Sequence, residues 1–548
     1  MGHRRRTITT PPSQPVGTSR TGPPLSLIRL GHDPLHLIAT ELLRDEDLEL
    51  RHFSSTCRDI RSITLPIYFR RSVCVWNEEN ETVSLPPSTL WPYIQSICCL
   101  VDGPFYLPGS EYPVASLGEY LQQLPYLCSV VFGDIFGGVP LNILRAFFIP
   151  SIRNIYFDGS SWAGPIPSVY PELPGLDWPP IDAQSVVDVL PPIVTEFMYM
   201  DSEWRQVPSE GYKLRHGGVK KLRTISYEPE VGYLRPLVMH IHPTVRKLSL
   251  PAESTPFGAM AKVHWPCLLE LRLWGRYPEA EELKNIVPAL SMMPHLRDLE
   301  LVAGHPDQSD RVRVWSESAA PVPDFVQLRT FKLSYPNSHD LIFSHLPPTL
   351  RHLSLRDEPR HYHFDPRLSR GELHLSSPIP SSSELLQILS QCRFDELYTL
   401  EVVYRADDAE RELLAYIASE FSCLDTLEVH RYEKRLMDMA ELARILSPLQ
   451  RLRVLRYRFE CKKYIGMLGS DARTSRCLPV DRAEPDMFPA VADDFVRAFV
   501  SPVAPPNLEM LSMLHVRMSW DFNCWERWRV IESQEGGRKA ENLPLGER

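Results

Sequence analysis

Leu268-Leu269-Glu270-Leu271-Arg272-Leu273 and Leu424-Asp425-Thr426-Leu427-Glu428-Val429 are two copies of one pattern, apolar-x-x-apolar-x-apolar. The last two apolar positions of each copy alternate, as one face of a strand must. Working outward, the pattern starts at Ile94, Leu127, Ile152, Val194, Leu222, Val245, Leu268, Leu296, Leu328, Leu350, Leu397, Leu424, Leu452 and, more weakly, Leu508. Most copies lie 22 to 33 residues apart, room for a strand, a turn and a short helix. Helical patterns precede several copies: Glu281-Leu283-Ile286-Leu290 before Leu296, Leu385-Leu386-Leu389 before Leu397, and Leu413-Leu414-Ile417-Phe421 before Leu424.

A helix-turn-strand unit this small cannot bury its own apolar face, so neighbouring units must stack. The expected fold class is α/β, with an irregular leucine-rich repeat solenoid over residues 76–528: a curved parallel sheet with outer helices. The asparagine that usually follows the strand in such repeats is mostly missing. Polar and Pro-rich insertions are expected at 356–384 and 461–507. Fourteen strands about 4.8 Å apart would span roughly 60 Å, which is the size of a protein-binding face rather than a small-molecule pocket. The middle position of each strand would face a partner, making Arg272, Glu300, Lys332, Ser354, Glu401, Glu428 and Arg456 candidate contacts. Taken singly, each reads equally well as part of a solvated face with no fixed partner.

The 548 residues include 52 prolines, about twice the usual share, and only 26 glycines, with 43% apolar residues. A collagen-like or globally disordered chain is excluded. Much of the proline falls at strand starts and loops, where a missing N–H costs no ladder bond. A net charge of −10 and the mixed signs of the candidate face argue against nucleic acid as a partner. No apolar run is long enough to cross a membrane, and residues 1–24 read as a basic, Pro-rich disordered tail without a signal-peptide core. Residues 529–548 read as a polar tail that frays. The eleven cysteines are odd in number and contain no CxxC, which suggests a reduced chain in the cytoplasm or nucleus.

Residues 25–75 read as a helical module. Asp33 suits an N-cap, with Pro34 at the first helical position. Leu35, Ile38 and Leu42 then share one face. Asp45-Glu46-Asp47 opens a second helix carrying Leu50 and Phe53. A third short helix begins near Cys57 and is expected to stop before Pro66, followed by a strand from Ser72 to Trp76.

Three stretches here carry a resemblance. Leu30-Gly31-His32-Asp33-Pro34-Leu35-His36-Leu37-Ile38-Ala39-Thr40-Glu41-Leu42, Ser55-Thr56-Cys57-Arg58-Asp59-Ile60-Arg61 and Leu65-Pro66-Ile67-Tyr68-Phe69-Arg70-Arg71 together resemble the F-box. With the repeats, the chain is similar to F-box proteins bearing a leucine-rich repeat-like substrate domain, of the kind expanded in fungi. It departs from the family's initial Leu-Pro at Gly31, and Leu48 and Leu50 compete for one family position. The resemblance implies a substrate-recognition subunit of an SCF-type cullin–RING ubiquitin ligase. The helical module would bind a Skp-family adaptor through Leu30, Pro34, Leu35, Ile38, Leu42 and Leu50. The solenoid would hold a protein substrate. No residue then needs to do chemistry, because the ligase acts by proximity, and no cofactor is implied. A repeat scaffold with a degenerate F-box is the alternative. An α/β hydrolase is a third reading, against which the absence of a G-x-S-x-G elbow counts.

No P-loop, G-x-G-x-x-G or H-E-x-x-H pattern occurs. His240/His242 and His361/His363 would pair on strand faces, but neither has a further ligand at metal spacing. Cys57 reads as a buried helix thiol, and Trp520, Trp525 and Trp528 as a cap on the last repeat.

Overall fold

The computed structural model describes residues 32–45, 47–77, 82–84, 86–102, 114–133, 149–158, 187, 190–199, 228–278, 280–304, 311–315, 325–357, 379–432, 437–459, 488–515, 524–533 and 537–543. The chain divides into two compact units. One comprises residues 1–72 and 87–95; the other comprises 73–86 and 96–548. A short 3₁₀ helix, Ser88–Tyr93, belongs to the first unit.

The first unit is built on three helices, α1 (His32–Asp45), α2 (Asp47–Ser54) and α3 (Arg58–Tyr68). Ala39, Leu50 and Ile67, one from each helix, form its core, with Leu42, Phe53 and Tyr68 packed around them. α1 begins at His32, so Asp33 lies inside the first turn rather than capping it. Cys57 is not a buried thiol: it is half-buried and caps α3, its Sγ accepting from the N–H of Ile60 at 3.5 Å. α3 also runs through Pro66. Burial of Ile63 and Ile67 holds the last turn, and the Phe69 N–H closes it on the Leu65 carbonyl at 3.0 Å.

The second unit contains a long mixed sheet. At its start β1 (Arg71–Asn77) pairs antiparallel with β2 (Thr82–Ser84) and also joins β3 (Ser96–Asp102). The following strands are β4 (Ser129–Gly133), β5 (Asn154–Asp158), β6 (Glu196–Tyr199), β7 (Lys247–Pro251), β8 (Glu270–Arg276) and β9 (Asp298–Gly304). Then come β10 (Thr330–Ser334), β11 (His352–Arg356), β12 (Thr399–Arg405), β13 (Thr426–Tyr432), β14 (Val454–Phe459) and β15 (Met510–His515). From β3 to β15 each strand runs parallel to the next in chain order. A parallel neighbour requires a crossover, and the helices Glu410–Glu420, Met439–Leu446 and Phe488–Val500 supply it between β12 and β15.

Thirteen of the fourteen sequence repeats are these strands. The copy at Leu222 falls outside the described residues; among these, β6 pairs directly with β7. Two further differences concern expected insertions and tail. The helix Phe488–Val500 occupies part of the region 461–507, where a polar, Pro-rich insertion is expected. Residues 524–532 and 538–543 do not fray: β16 (Cys524–Glu532) and β17 (Arg538–Leu543) extend the sheet antiparallel from β15. Trp528 and Val530 are buried there, so alternate apolar side chains anchor a segment that is polar on average. Trp528 thereby fits the expected end cap, whereas Trp520 lies outside the described residues. The basic tail 1–24 and the pair His361/His363 lie outside them too.

The core lies between the sheet and its helices. Leu271, Leu299, Phe331, Leu353, Leu400, Leu427, Leu455 and Leu511 are register partners in one continuous row, all almost fully buried. A one-residue slip in any strand would turn that strand's leucine outward. Nearer the start, Phe132, Phe157 and Tyr199 stack in sequence with centroids 5.1 and 5.4 Å apart.

Two local devices fix loops to this frame. Gly275 has φ +91°, and a Cβ there would meet the Glu253 carboxylate. Buried Asp340 accepts from the N–H groups of Val314, Trp315 and Ile342 at 2.6, 3.0 and 3.1 Å, tying residues 311–315 to the turn after β10. Burial pushes its carboxyl up to about 6, against the pull of those three N–H groups and Arg313.

Gly275→Ala should destabilise the protein by about 1–3 kcal/mol through backbone strain, read by denaturant unfolding. Asp340→Ala should lower the melting temperature by orphaning buried donors, at about 1–3 kcal/mol. Between roughly pH 4 and 6 native Asp340 binds a proton that the unfolded chain has released. Its contribution to stability therefore falls as pH rises through that window, and the gap between wild type and Asp340→Ala should be larger at pH 5 than at pH 7.5.

Candidate functional site

The face of the sheet opposite the core is the candidate site. The register places Arg272, Glu300, Lys332, Ser354, Glu401, Glu428 and Arg456 side by side in one row on consecutive strands β8 to β14. All seven sequence candidates are thus brought together, because every copy is in phase.

The row is already cross-linked by its own charges. Glu300 sits between Lys332 at 2.6 Å and Arg272 at 3.4 Å. Ser354 Oγ donates to Glu401 Oε2 at 2.6 Å, and Arg456 reaches Glu428 Oε2 at 3.1 Å. A parallel row begins each strand, where Lys247 pairs with Glu270 at 3.1 Å and that hydrogen bond raises the lysine's pKa. Such half-exposed pairs contribute little stability each. Their effect is to fix side-chain positions, so the face presents an ordered pattern of charge.

The pattern is not uniform. Glu401 and Glu428 are direct register partners, two like charges facing each other across β12 and β13. His430, two residues beyond Glu428 and hence on the same side, is fully buried with Nε2 2.7 Å from Glu428 Oε1. The edge of Trp525, from β16, meets the His430 ring at a centroid distance of 5.9 Å. Arg458, the register partner of His430, is buried with its guanidinium 4.0 Å from the centre of the Tyr432 ring. The Tyr432 hydroxyl donates to buried Asp357 at 2.9 Å.

The candidate list did not include His430, Tyr432, Arg458, Asp357 and Trp525. The signal for three of them was available: His430, Tyr432 and Arg458 continue the alternation of Glu428 and Arg456. Asp357 carried no local signal, and Trp525, read as part of the cap on the last repeat, lies instead against the His430 ring. Glu401, Glu428 and His430 are also the group among the described residues whose donor atoms all lie within 4.8 Å of one another, as a cation would require. The pair His240/His242 does not form such a group. These residues lie at the end of the helix Glu228–Ile241 rather than on a strand, and their rings bond to the carbonyls of Pro191 and Met239.

On the core side of the same strands, Arg431 forms a buried two-point pair with Glu410, at 2.5 and 3.0 Å, and Tyr404 donates to Glu410 at 3.1 Å. This pins the helix Glu410–Glu420 beneath β12 and β13. Burial raises the Tyr404 hydroxyl well above its usual range.

In the helical unit the six adaptor candidates separate. Leu35 and Leu50 are buried, Ile38 and Leu42 are half-buried, and Pro34 is exposed; Leu30 lies outside the described residues. The shared face of Leu35, Ile38 and Leu42 thus includes the residues that fill the unit itself, in keeping with helices that cannot stand alone. Leu37, off that face, is 65% exposed.

No family description and no curated protein matches the sequence. Among solved structures, the leucine-rich repeat-containing protein LegL7 from Legionella pneumophila aligns with 75% of this chain and 89% of its own, at 14% identity and a TM-score of 0.25. The repeat reading rests on the strand register above. No helix among the described residues is long and apolar enough to cross a membrane.

Glu410→Ala should destabilise by about 3–5 kcal/mol, since it strands a buried guanidinium. The double replacement Glu410→Leu with Arg431→Met should recover most of that loss in the same denaturant titration.

Proposed function

We propose that the protein is a repeat scaffold that binds another protein on the charged face of its sheet, and that it does so as the substrate-recognition subunit of an SCF-type ubiquitin ligase. The observation that carries the first part is the in-register row from Arg272 to Arg456. Seven strands at about 4.8 Å spacing give a face roughly 29 Å long, too broad for a small ligand and of mixed charge. Supporting the second part are the F-box-like residues of α1 to α3, which build a compact unit with its own core. The Skp-family adaptor would meet exposed Pro34 and Leu37, with Ile38 and Leu42 at the margin. A cullin–RING ligase would follow through that adaptor. The chain itself performs no chemistry in this reading and needs no cofactor.

The runner-up is the same scaffold with no ligase attached. Co-purification separates the two. The wild-type protein should capture the Skp-family adaptor, and Leu37→Asp should abolish capture while leaving the melting temperature unchanged, because Leu37 is exposed. Failure of the wild type to capture the adaptor leaves only the scaffold. Substitution at Leu35 would not discriminate, since Leu35 is buried and its loss threatens the fold.

A further inference from the structure

We propose that Glu401, Glu428 and His430 form a binding site for a divalent first-row cation of the zinc or manganese class on the outer face of β12 and β13. Three observations converge on it. A donor atom from each residue lies within 4.8 Å of the other two. Bonds of about 2.0–2.2 Å to nitrogen and oxygen place ligand atoms about 3–3.5 Å apart, so the three donors must draw somewhat closer to complete the site. Next, the two glutamates are direct register partners, an arrangement whose like-charge repulsion a shared dication removes. Finally, both carboxylates are held on their far oxygens. Ser354 holds Oε2 of Glu401 and Arg456 holds Oε2 of Glu428. His430 is fully buried and its ring is braced by the edge of Trp525.

The donor set also indicates the cation. One imidazole with two carboxylates suits zinc, manganese or cobalt better than calcium or magnesium, which prefer oxygen alone. Without the cation, a hydrogen bond joins His430 Nε2 to Glu428 Oε1 at 2.7 Å. Binding requires the Nε2 lone pair, so the proton that Nε2 shares with Glu428 must leave it, to Nδ1 or to solvent. Arg456 bonds the outer oxygen of Glu428, and the Arg458 guanidinium lies over the Tyr432 ring. Three protein ligands leave a position open for water or for a side chain of a bound partner. The site stands independently of any ligase role.

Titration of the metal-free full-length chain with Co²⁺ tests it. One equivalent should develop visible d–d absorption and Zn²⁺ should displace it. Glu401→Gln, a half-buried position, should keep the melting temperature and lose the band. Ser354→Ala should weaken binding about tenfold. His430→Gln should also lose the band; if that variant fails to fold, Glu401→Gln and Ser354→Ala decide the matter. Absence of a one-to-one Co²⁺ complex in the wild type, or equal affinity in Glu401→Gln, overturns the proposal.

Discussion

Everything in the repeat unit depends on one constraint, the in-phase parallel register of β3 to β15. Each strand has a side-chain period of two, so the leucine row and the charged row are fixed together. Holding Leu400 opposite Leu427 necessarily holds Glu401 opposite Glu428. The repulsion between those two carboxylates is therefore accepted for the sake of the apolar row beneath them. Burying a leucine pair contributes several kcal/mol, whereas a half-exposed charge contact is worth a fraction of one.

The same inequality organises the two sides of the sheet. On the core side the buried charge of Arg431 meets the opposite charge of Glu410, which Tyr404 also bonds. On the outer side charges pair laterally with whatever neighbour the register delivers. Lys332 and Arg272 happen to bracket Glu300. Ser354 and Arg456 are left to hold the outer oxygens of a glutamate pair. Function, on this reading, lies in the row that the core leaves free to vary. A partner would meet side chains whose spacing is set by backbone hydrogen bonds rather than by their own preferences.

The helical unit follows the opposite logic. Its helices span 14, 8 and 11 residues, too short to persist alone, so most of their apolar side chains are consumed in holding one another. Periodicity correctly finds the buried face of α1, and for that reason it selects Leu35, which is not available to a partner. Leu37 breaks the period, and its exposure is what makes it a candidate contact. Cys57 shows a similar limit: nothing in its surroundings distinguishes a packed thiol from one whose sulfur caps a helix.

The sequence by itself determined the repeat, its period, the phase of the strands from β3 to β15, and hence the row from Arg272 to Arg456. It could do so because the alternation of apolar and polar residues along a strand is local information. It also located the helical module and its apolar faces. The tertiary structure alone decided that β6 pairs with β7 across 47 intervening residues. It alone turned the polar C-terminal segment into β16 and β17, where Trp528 and Val530 reach a core that no local window contains. It alone brought Trp525 and Asp357 to His430 and Tyr432. Those meetings join segments distant in the chain, and only the closure of the sheet's hydrogen bonds sets their distances.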